Sequence, residues 1–319
     1  MGNPTVSRRV LVTGVVCVGG AALIGVVKHE AHGSAQPAEP AEMRTATSAR
    51  SAAASPTTAT TTTPTARPTV STARTPAELT AELEAYRRSR GATLSVALRD
   101  RRNRDTYSLR GTWRNETLSI VKVLIMATVL HQCQELGTRL TSQQVADASA
   151  MITRSDNEAT NALLTWVGAT NVREVAKRYG LTSTVIQSGT EDGEDDWWGY
   201  STTTALDQLR LLTGLVEGNK VISSANRAYL TGLMASVTPV QRWGVCAPPL
   251  PTNIRWNTKN GWGGRDDGYR ANSIGHISGN GRDYEAVVLS RTPRDLPYAR
   301  ETVSGVSRIL YDAMASPLR

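Results

Sequence analysis

The chain has 319 residues, a net charge of +8 and three cysteines. No basic run is interleaved with aromatics, which argues against nucleic acid as a partner. The four histidines are scattered and the cysteine spacing fits no ligand motif, so neither a metal site nor a cofactor is expected.

The first 35 residues read as an export signal or membrane anchor. Ser7-Arg8-Arg9 precedes an apolar run from Val10 to Val27, resembling a twin-arginine signal. The run is near the length that spans a membrane. Gly33-Ser34-Ala35 offers a small-residue cleavage site. The alternative is an uncleaved anchor with Arg8 and Arg9 on the cytoplasmic side. Cys17 follows Val16, which is not small, and is a poor lipid-attachment site. Either way the remainder is expected to be secreted or held at the outer face of the cytoplasmic membrane. Residues 36–75 are dominated by Ala, Thr, Ser and Pro and hold too little apolar surface to offset their ordering entropy, so a disordered linker is expected there.

Residues 76–319 are long enough for one domain, with 29 Lys and Arg against 25 Asp and Glu, or +4. A helix is expected over 76–89 (Leu79, Leu83, Tyr86). A strand follows, in which Leu94, Val96 and Leu98 alternate with Ser95, Ala97 and Arg99. A second strand is expected at Thr106–Leu109. A helix then runs over 119–136 and ends at Gly137.

That last helix carries the first chemical signal. From Leu118 to Leu130 the polar side chains are Ser119, Lys122 and Thr128 alone, so the helix is a buried one. Ser119 and Lys122 share a face. Burial lowers a lysine pKa and makes the neutral amine accessible near pH 7. A neutral amine beside a hydroxyl is a base beside a nucleophile. By itself S-x-x-K fits many solvated helix ends. Here the flanks are apolar, and the chain uses 31 Arg but only 5 Lys, so a surface cation would more often have been Arg.

Further helices are expected at 142–152, 157–167, 171–178, 203–216 and 224–236, with Gly168, Gly180 and Gly218 near their ends. Ser155 and Glu158 fit a capping box opening one of them, a structural role compatible with a chemical one. In the last third Ile254, Trp256 and Thr258 alternate with Arg255, Asn257 and Lys259, so Lys259 lies on the face opposite Trp256. Lys259-Asn260-Gly261-Trp262 is expected to end that strand. Strands at about 271–278 and 283–290 flank the hairpin signal Gly279-Asn280-Gly281. A helix at 298–314 closes the chain. Cys133 and Cys246 are either one disulfide or two buried thiols.

Three elements therefore occur in order: Ser119-x-x-Lys122, Ser155-Asp156-Asn157 and Lys259-Asn260-Gly261. Together they resemble the class A β-lactamase and penicillin-binding serine hydrolase superfamily, whose signature is S-x-x-K, S-D-N and K-T-G. The likeness covers about 90–310. It extends to Asn161-Ala162-Leu163-Leu164 after the second motif and to the run Ser201-Thr202-Thr203-Thr204. The resemblance implies an α+β fold: a five-stranded antiparallel sheet built from both chain ends, flanked by helices, with an inserted helical lobe. It implies that Ser119 is the acylated nucleophile, Lys122 its base, Ser155 the proton relay to the leaving nitrogen, and Asn157 a substrate-amide ligand. Lys259 would supply positive charge. The N–H groups of Ser119 and Trp262 would form the oxyanion hole. Asn260, Gly261 and Trp262 would line the substrate.

Two departures from the family pattern stand out. Asn260 replaces the family's Thr or Ser, whose hydroxyl binds a substrate carboxylate. The deacylating glutamate of β-lactamases maps by spacing onto Ser188. Glu191 is the nearest carboxylate and a candidate deacylation base, in an acidic loop that also reads as simply solvated. The expected function is an exported, monomeric serine hydrolase acylated by β-lactams or by D-alanyl stem peptides of the cell wall, with slow deacylation. A β-lactam-binding sensor or wall-associated binding module with little turnover is the alternative. A non-catalytic structural domain is disfavoured because two of so few lysines fall on the motifs. The membrane enters only through an uncleaved N-terminal segment.

Overall fold

A computed structural model describes residues 74–248 and 250–318. The expected export signal and nearly all of the expected linker lie outside them. Among the described residues, no helix is long and apolar enough to cross a membrane.

Helix α1 (Pro76–Ser89) starts on a capping box in which Thr75 and Glu78 bond reciprocally, with proline at the first helical position. Strands β1 (Thr93–Asp100) and β2 (Thr106–Leu109) follow, then the short β3 (Arg114–Glu116). A 3₁₀ turn, Leu118–Ile120, leads into helix α2 (Val121–Glu135). The helical stretch continues with α3 (Ser142–Ser149), α4 (Asn157–Val167), α5 (Ala169–Arg178), the three-residue β4 (Thr202–Thr204), α6 (Ala205–Val216) and α7 (Ser224–Ala235). Strands β5 (Arg255–Arg265), β6 (Gly268–Gly279) and β7 (Arg282–Thr292) precede the closing helix α8 (Leu296–Ala313).

Five strands form one antiparallel sheet in the order β2-β1-β7-β6-β5. Both chain ends build it, because β1 pairs with β7 along its full length, Thr93 opposite Arg291 through Asp100 opposite Tyr284. Alternation sorts the sheet's side chains into two cores. Leu94, Val96, Leu98, Ala286 and Val288 pack with Leu79 and Leu83 of α1 and Val303, Val306 and Leu310 of α8. Ala97, Ile274, Val287 and Leu289 face the other way, onto α2 and the helical lobe. Twelve side chains of α2 are buried, Lys122 among them. The α+β architecture expected from the sequence is the one observed.

Several boundaries differ from expectation. Strand β5 does not stop at Trp262 but pairs on to Arg265, opposite Gly268, where the β5–β6 turn closes. The helix expected over 142–152 ends at Ser149 and widens into a π-helical turn, Ala150–Arg154. The threonine run is extended rather than helical. Thr202–Thr204 pairs with Arg114–Glu116, and Thr204 then caps α6 by accepting from the N–H of Asp207. The two described cysteines are free buried thiols, Cys133 in α2 and Cys246 in a 3₁₀ turn, so the disulfide alternative fails.

Candidate active site

The site forms where β5, the last strand of the sheet, meets the start of α2. An edge strand leaves alternate N–H groups without ladder partners. Gly261 allows the close approach: a Cβ there would lie 2.7 Å from the N of Ser119 and 2.8 Å from the carbonyl oxygen of Thr117. Any side chain would lever the strand off Ser119. The residue before Ser119 is strained. Leu118 takes φ +47°, a region costly for leucine, and is 3% exposed. Its side chain packs against Gly263, where a Cβ would sit 3.1 Å from it. The preceding backbone is pinned from beneath: Asn272 of β6 donates to the carbonyls of Glu116 (2.8 Å) and Thr117 (3.2 Å). The N–H of Thr117 donates to Ser201 at 2.6 Å. Ser119 is thus presented by a turn held at several points.

The second wall is the segment between α3 and α4. The π-helical turn ends on Ser155, which adopts φ +64°. Asp156, not Ser155, caps α4, accepting from the N–H of Ala159 at 2.9 Å. The capping box read between Ser155 and Glu158 is therefore not formed. Its absence frees the Ser155 hydroxyl, which lies 2.9 Å from Nζ of Lys259 and 3.4 Å from Nζ of Lys122. Two lysine amines converge on one hydroxyl oxygen.

Lys122 and Lys259 are respectively 0% and 1% exposed. Burial holds the pKa of Lys259 down to about 7. Lys122 is lowered well below the usual lysine range, first by burial and then by the charge of Lys259. Lys122 donates to the carbonyl of Ser155 at 2.6 Å, to Oδ1 of Asn157 at 2.8 Å and to the carbonyl of Asp156 at 3.3 Å. Those bonds favour the charged amine but do not outweigh desolvation and the neighbouring lysine. Because Oδ1 of Asn157 faces Lys122, its amide N–H groups are free to donate to a ligand. The Ser119 hydroxyl makes no side-chain hydrogen bond among the described residues. Catalytic contacts of this kind are commonly long before substrate binds.

Asn260 does something other than expected. Its Nδ2 donates to the carbonyls of Gln241 (2.7 Å) and Trp243 (3.2 Å), and its Oδ1 is buried without a donor. An amide with both N–H groups engaged has nothing to offer a carboxylate. It fastens a strap, 238–246, against β5 instead. The strap is also held by Val245 N–H donating to Ser273 at 2.8 Å and by Thr238 N–H donating to Thr153 at 3.0 Å. Within it Gly244 takes φ +69°, and a Cβ there would also meet Ser273 Oγ at 2.2 Å, so the strap needs glycine at this point. Trp262 packs edge-on against Trp243, ring centroids 5.9 Å apart, so its side chain supports the strap.

The loop before β4 forms the third wall. Ser188 and Glu191 are both exposed. The loop carboxylate whose charge acts on Lys122 is Asp192, one residue beyond the sequence candidate. The residue as a whole is exposed, yet burial of its carboxyl raises its pKa, with Lys122 opposing. Sequence reasoning missed Trp198. This side chain is 0% exposed, and its ring lies 4.8 Å from Nζ of Lys122. Its indole N–H donates to Asn161 at 2.8 Å, and Asn161 in turn donates to the carbonyl of Thr190. The signal was present in the Trp197-Trp198 pair beside the acids and in Asn161 of the second motif. Their spacing along the chain does not disclose that they meet.

The profile of the β-lactamase enzyme family matches residues 132–314, more than half of the chain. Among curated proteins, one bearing the lipoprotein name LppW from Mycobacterium tuberculosis (strain H37Rv) is 29% identical over 232 residues, 69% of this chain and 70% of that protein. A β-lactamase of Sphaerobacter thermophilus superposes with a TM-score of 0.64 at 18% identity, over 75% of this chain and 98% of the other. The class A β-lactamase of Mycobacterium abscessus superposes with a TM-score of 0.63 at 20% identity, over 75% of this chain and all of the other.

Proposed function

The chain belongs to the β-lactamase enzyme family, and from that premise we propose that it is an exported serine hydrolase that forms an acyl-enzyme on Ser119. Its substrates are β-lactams or D-alanyl peptides of the cell wall. One observation carries the reading: the hydroxyl of Ser155 joins two buried lysines, Lys122 and Lys259, at the end of the cleft over which Gly261 meets Ser119. A stable fold gains little from two like charges kept out of water. A proton relay needs that arrangement.

In this reading Lys122, once neutral, takes the Ser119 proton as the hydroxyl attacks the carbonyl carbon. The N–H groups of Ser119 and Trp262 stabilise the oxyanion. The proton passes through Ser155 to the nitrogen that leaves, and the free N–H groups of Asn157 hold the side-chain amide. Lys259 lowers the pKa of Lys122 and keeps Ser155 oriented. Hydrolysis of the ester needs a second base, which the exposed loop supplies poorly. Deacylation is accordingly slow. The apolar run after Arg8-Arg9 and the lipoprotein name of a relative support export.

The test is labelling with a fluorescent penicillin. Wild type is expected to label, and Ser119→Ala to lose all label while melting like wild type, since the hydroxyl makes no bond whose loss would cost stability. Equal labelling of the variant would reject Ser119 as the nucleophile. A wild-type protein that neither labels nor hydrolyses would reject the reading itself.

A further inference from the structure

In the proposed acylation a proton moves from Oγ of Ser119 to Nζ of Lys122. A positive charge must then appear on a side chain with 0% exposure. Burying a charge is costly unless neighbouring groups replace the lost water. Nζ donates to the carbonyls of Ser155 (2.6 Å) and Asp156 (3.3 Å) and to Oδ1 of Asn157 (2.8 Å), all in one segment of the chain. Lys259 of β5 opposes the new charge, while Asp156 before α4 and Asp192 of the loop favour it. Asp156 already caps α4. The loop adds a group of another kind. Nζ lies over the face of Trp198, 4.8 Å from the ring centroid, within the range at which the negative face of an aromatic ring attracts a cation. The ring is itself 0% exposed, so water and salt screen this attraction little.

The ring is also held in place. Trp198 opens a 3₁₀ turn, Trp198–Tyr200, that packs against the turn carrying Ser119. Its indole N–H donates to Oδ1 of Asn161 at 2.8 Å, and Nδ2 of Asn161 donates to the carbonyl of Thr190 at 3.2 Å. One side chain of α4 thereby fastens both ends of the acidic loop and fixes the indole. The ring of Trp197 braces it, centroid to centroid 4.7 Å, and meets Tyr200 edge-on at 5.0 Å. An apolar filler would need no such hydrogen bond.

We infer that Trp198 is a positioning residue for acylation, its ring face holding the ammonium that Lys122 becomes as it takes the Ser119 proton. The inference rests on the acylation proposed above. The ring exchanges no proton: the one gained by Lys122 leaves again through Ser155 to the departing nitrogen. By favouring the ammonium, the ring raises the pKa of Lys122 against the burial and the Lys259 charge that lower it, and so keeps the neutral amine a stronger base.

Fluorination of the indole tests this, because it drains the ring face of electrons with little change of size. Mono-, di- and tetrafluorotryptophan are placed at position 198 alone, since the chain has seven tryptophans. The titration of Lys122 is followed by NMR on carbon-13-labelled lysine, which the chain's few lysines keep resolvable. It is expected to move stepwise to lower pH, by about 0.4–1.5 pH units across the series. The acid limb of penicillin acylation is expected to follow, and the plateau rate to fall. Methyltryptophan, larger but richer in electrons, is expected to leave the titration in place or move it higher. A titration that stays put through the fluorinated series, with labelling intact, overturns the inference alone. An equal downward move with methyltryptophan overturns it too, because packing would then be the cause. A wild-type protein that neither labels nor hydrolyses overturns the proposed function and this inference with it.

Discussion

Two walls of the same cleft are built on opposite principles. The wall of Ser119, Lys122, Ser155 and Lys259 is buried, and the side chains of Lys122, Ser155 and Lys259 are cross-bonded between elements. The loop wall carries Glu191, Asp192, Glu194, Asp195 and Asp196, all exposed as residues, and near Lys122 it sets the buried ring of Trp198 and the partly desolvated carboxyl of Asp192. Preorganised groups stabilise charge without reorganising at the moment of reaction, whereas solvated carboxylates must be gathered and desolvated first. In the proposed reading the first wall makes an ester on Ser119 and the second hydrolyses it slowly.

The largest effect is expected where the first wall is broken at its base. Lys122→Ala should slow acylation by about 10²–10⁴, the usual contribution of a general base. Lys122→Arg should not rescue it, because arginine keeps its proton. Stopped-flow acylation rates check both, and an arginine variant at the wild-type rate would reduce Lys122 to an electrostatic role. Ser155→Gly comes next. Glycine suits the φ of +64° at this position, so the fold should be unharmed or slightly firmer. Loss of the relay should still cost acylation about 10². An unimpaired glycine variant would remove Ser155 from the proton path.

A subtler change sharpens the electrostatic half of the comparison. If Lys122 is the base proposed for Ser119, it works when neutral, and acylation should rise with pH as it deprotonates. The charge on Lys259, itself titrating near 7, holds that pKa down. Lys259→Gln removes the repulsion, the pKa of Lys122 rises, and the acid limb of the acylation profile should move to higher pH. A limb that stays in place or moves lower would show that the two amines are uncoupled. The smallest effects belong to the loop wall. Glu191→Gln and Asp192→Asn should each alter deacylation by less than about threefold, well below the loss of a true general base. A large and selective loss in either, with acylation spared, would show that the loop does supply one.

What the sequence disclosed divides along the same line. Ser119, Lys122 and Lys259 lie on or beside elements whose periodicity is a local property, and Ser155 ends the turn before α4, so their order and residue types were readable, while the roles given to them are proposals. The sheet followed for the same reason: Leu94, Val96 and Leu98 alternate as strands must. The errors sit where long-range packing decides. Ser155 and Glu158 match a capping box in pattern, but the αL turn at Ser155 passes the cap to Asp156. Asn260 was read by analogy of position, while its amide is taken by a strap that no local signal ties to β5. Proximity along the chain favoured Glu191; the path of the loop brings Asp192 within electrostatic reach of Lys122 instead.

The central claim is that acylation of Ser119 outruns deacylation, and intact-protein mass spectrometry over time after one dose of a penicillin tests it most directly. The account predicts a single adduct with the mass of one penicillin, on the peptide containing Ser119, forming early and persisting long after free penicillin is exhausted or removed. Rapid consumption of penicillin with no accumulating adduct would contradict it, because the loop wall would then be hydrolysing the ester as fast as the buried wall makes it.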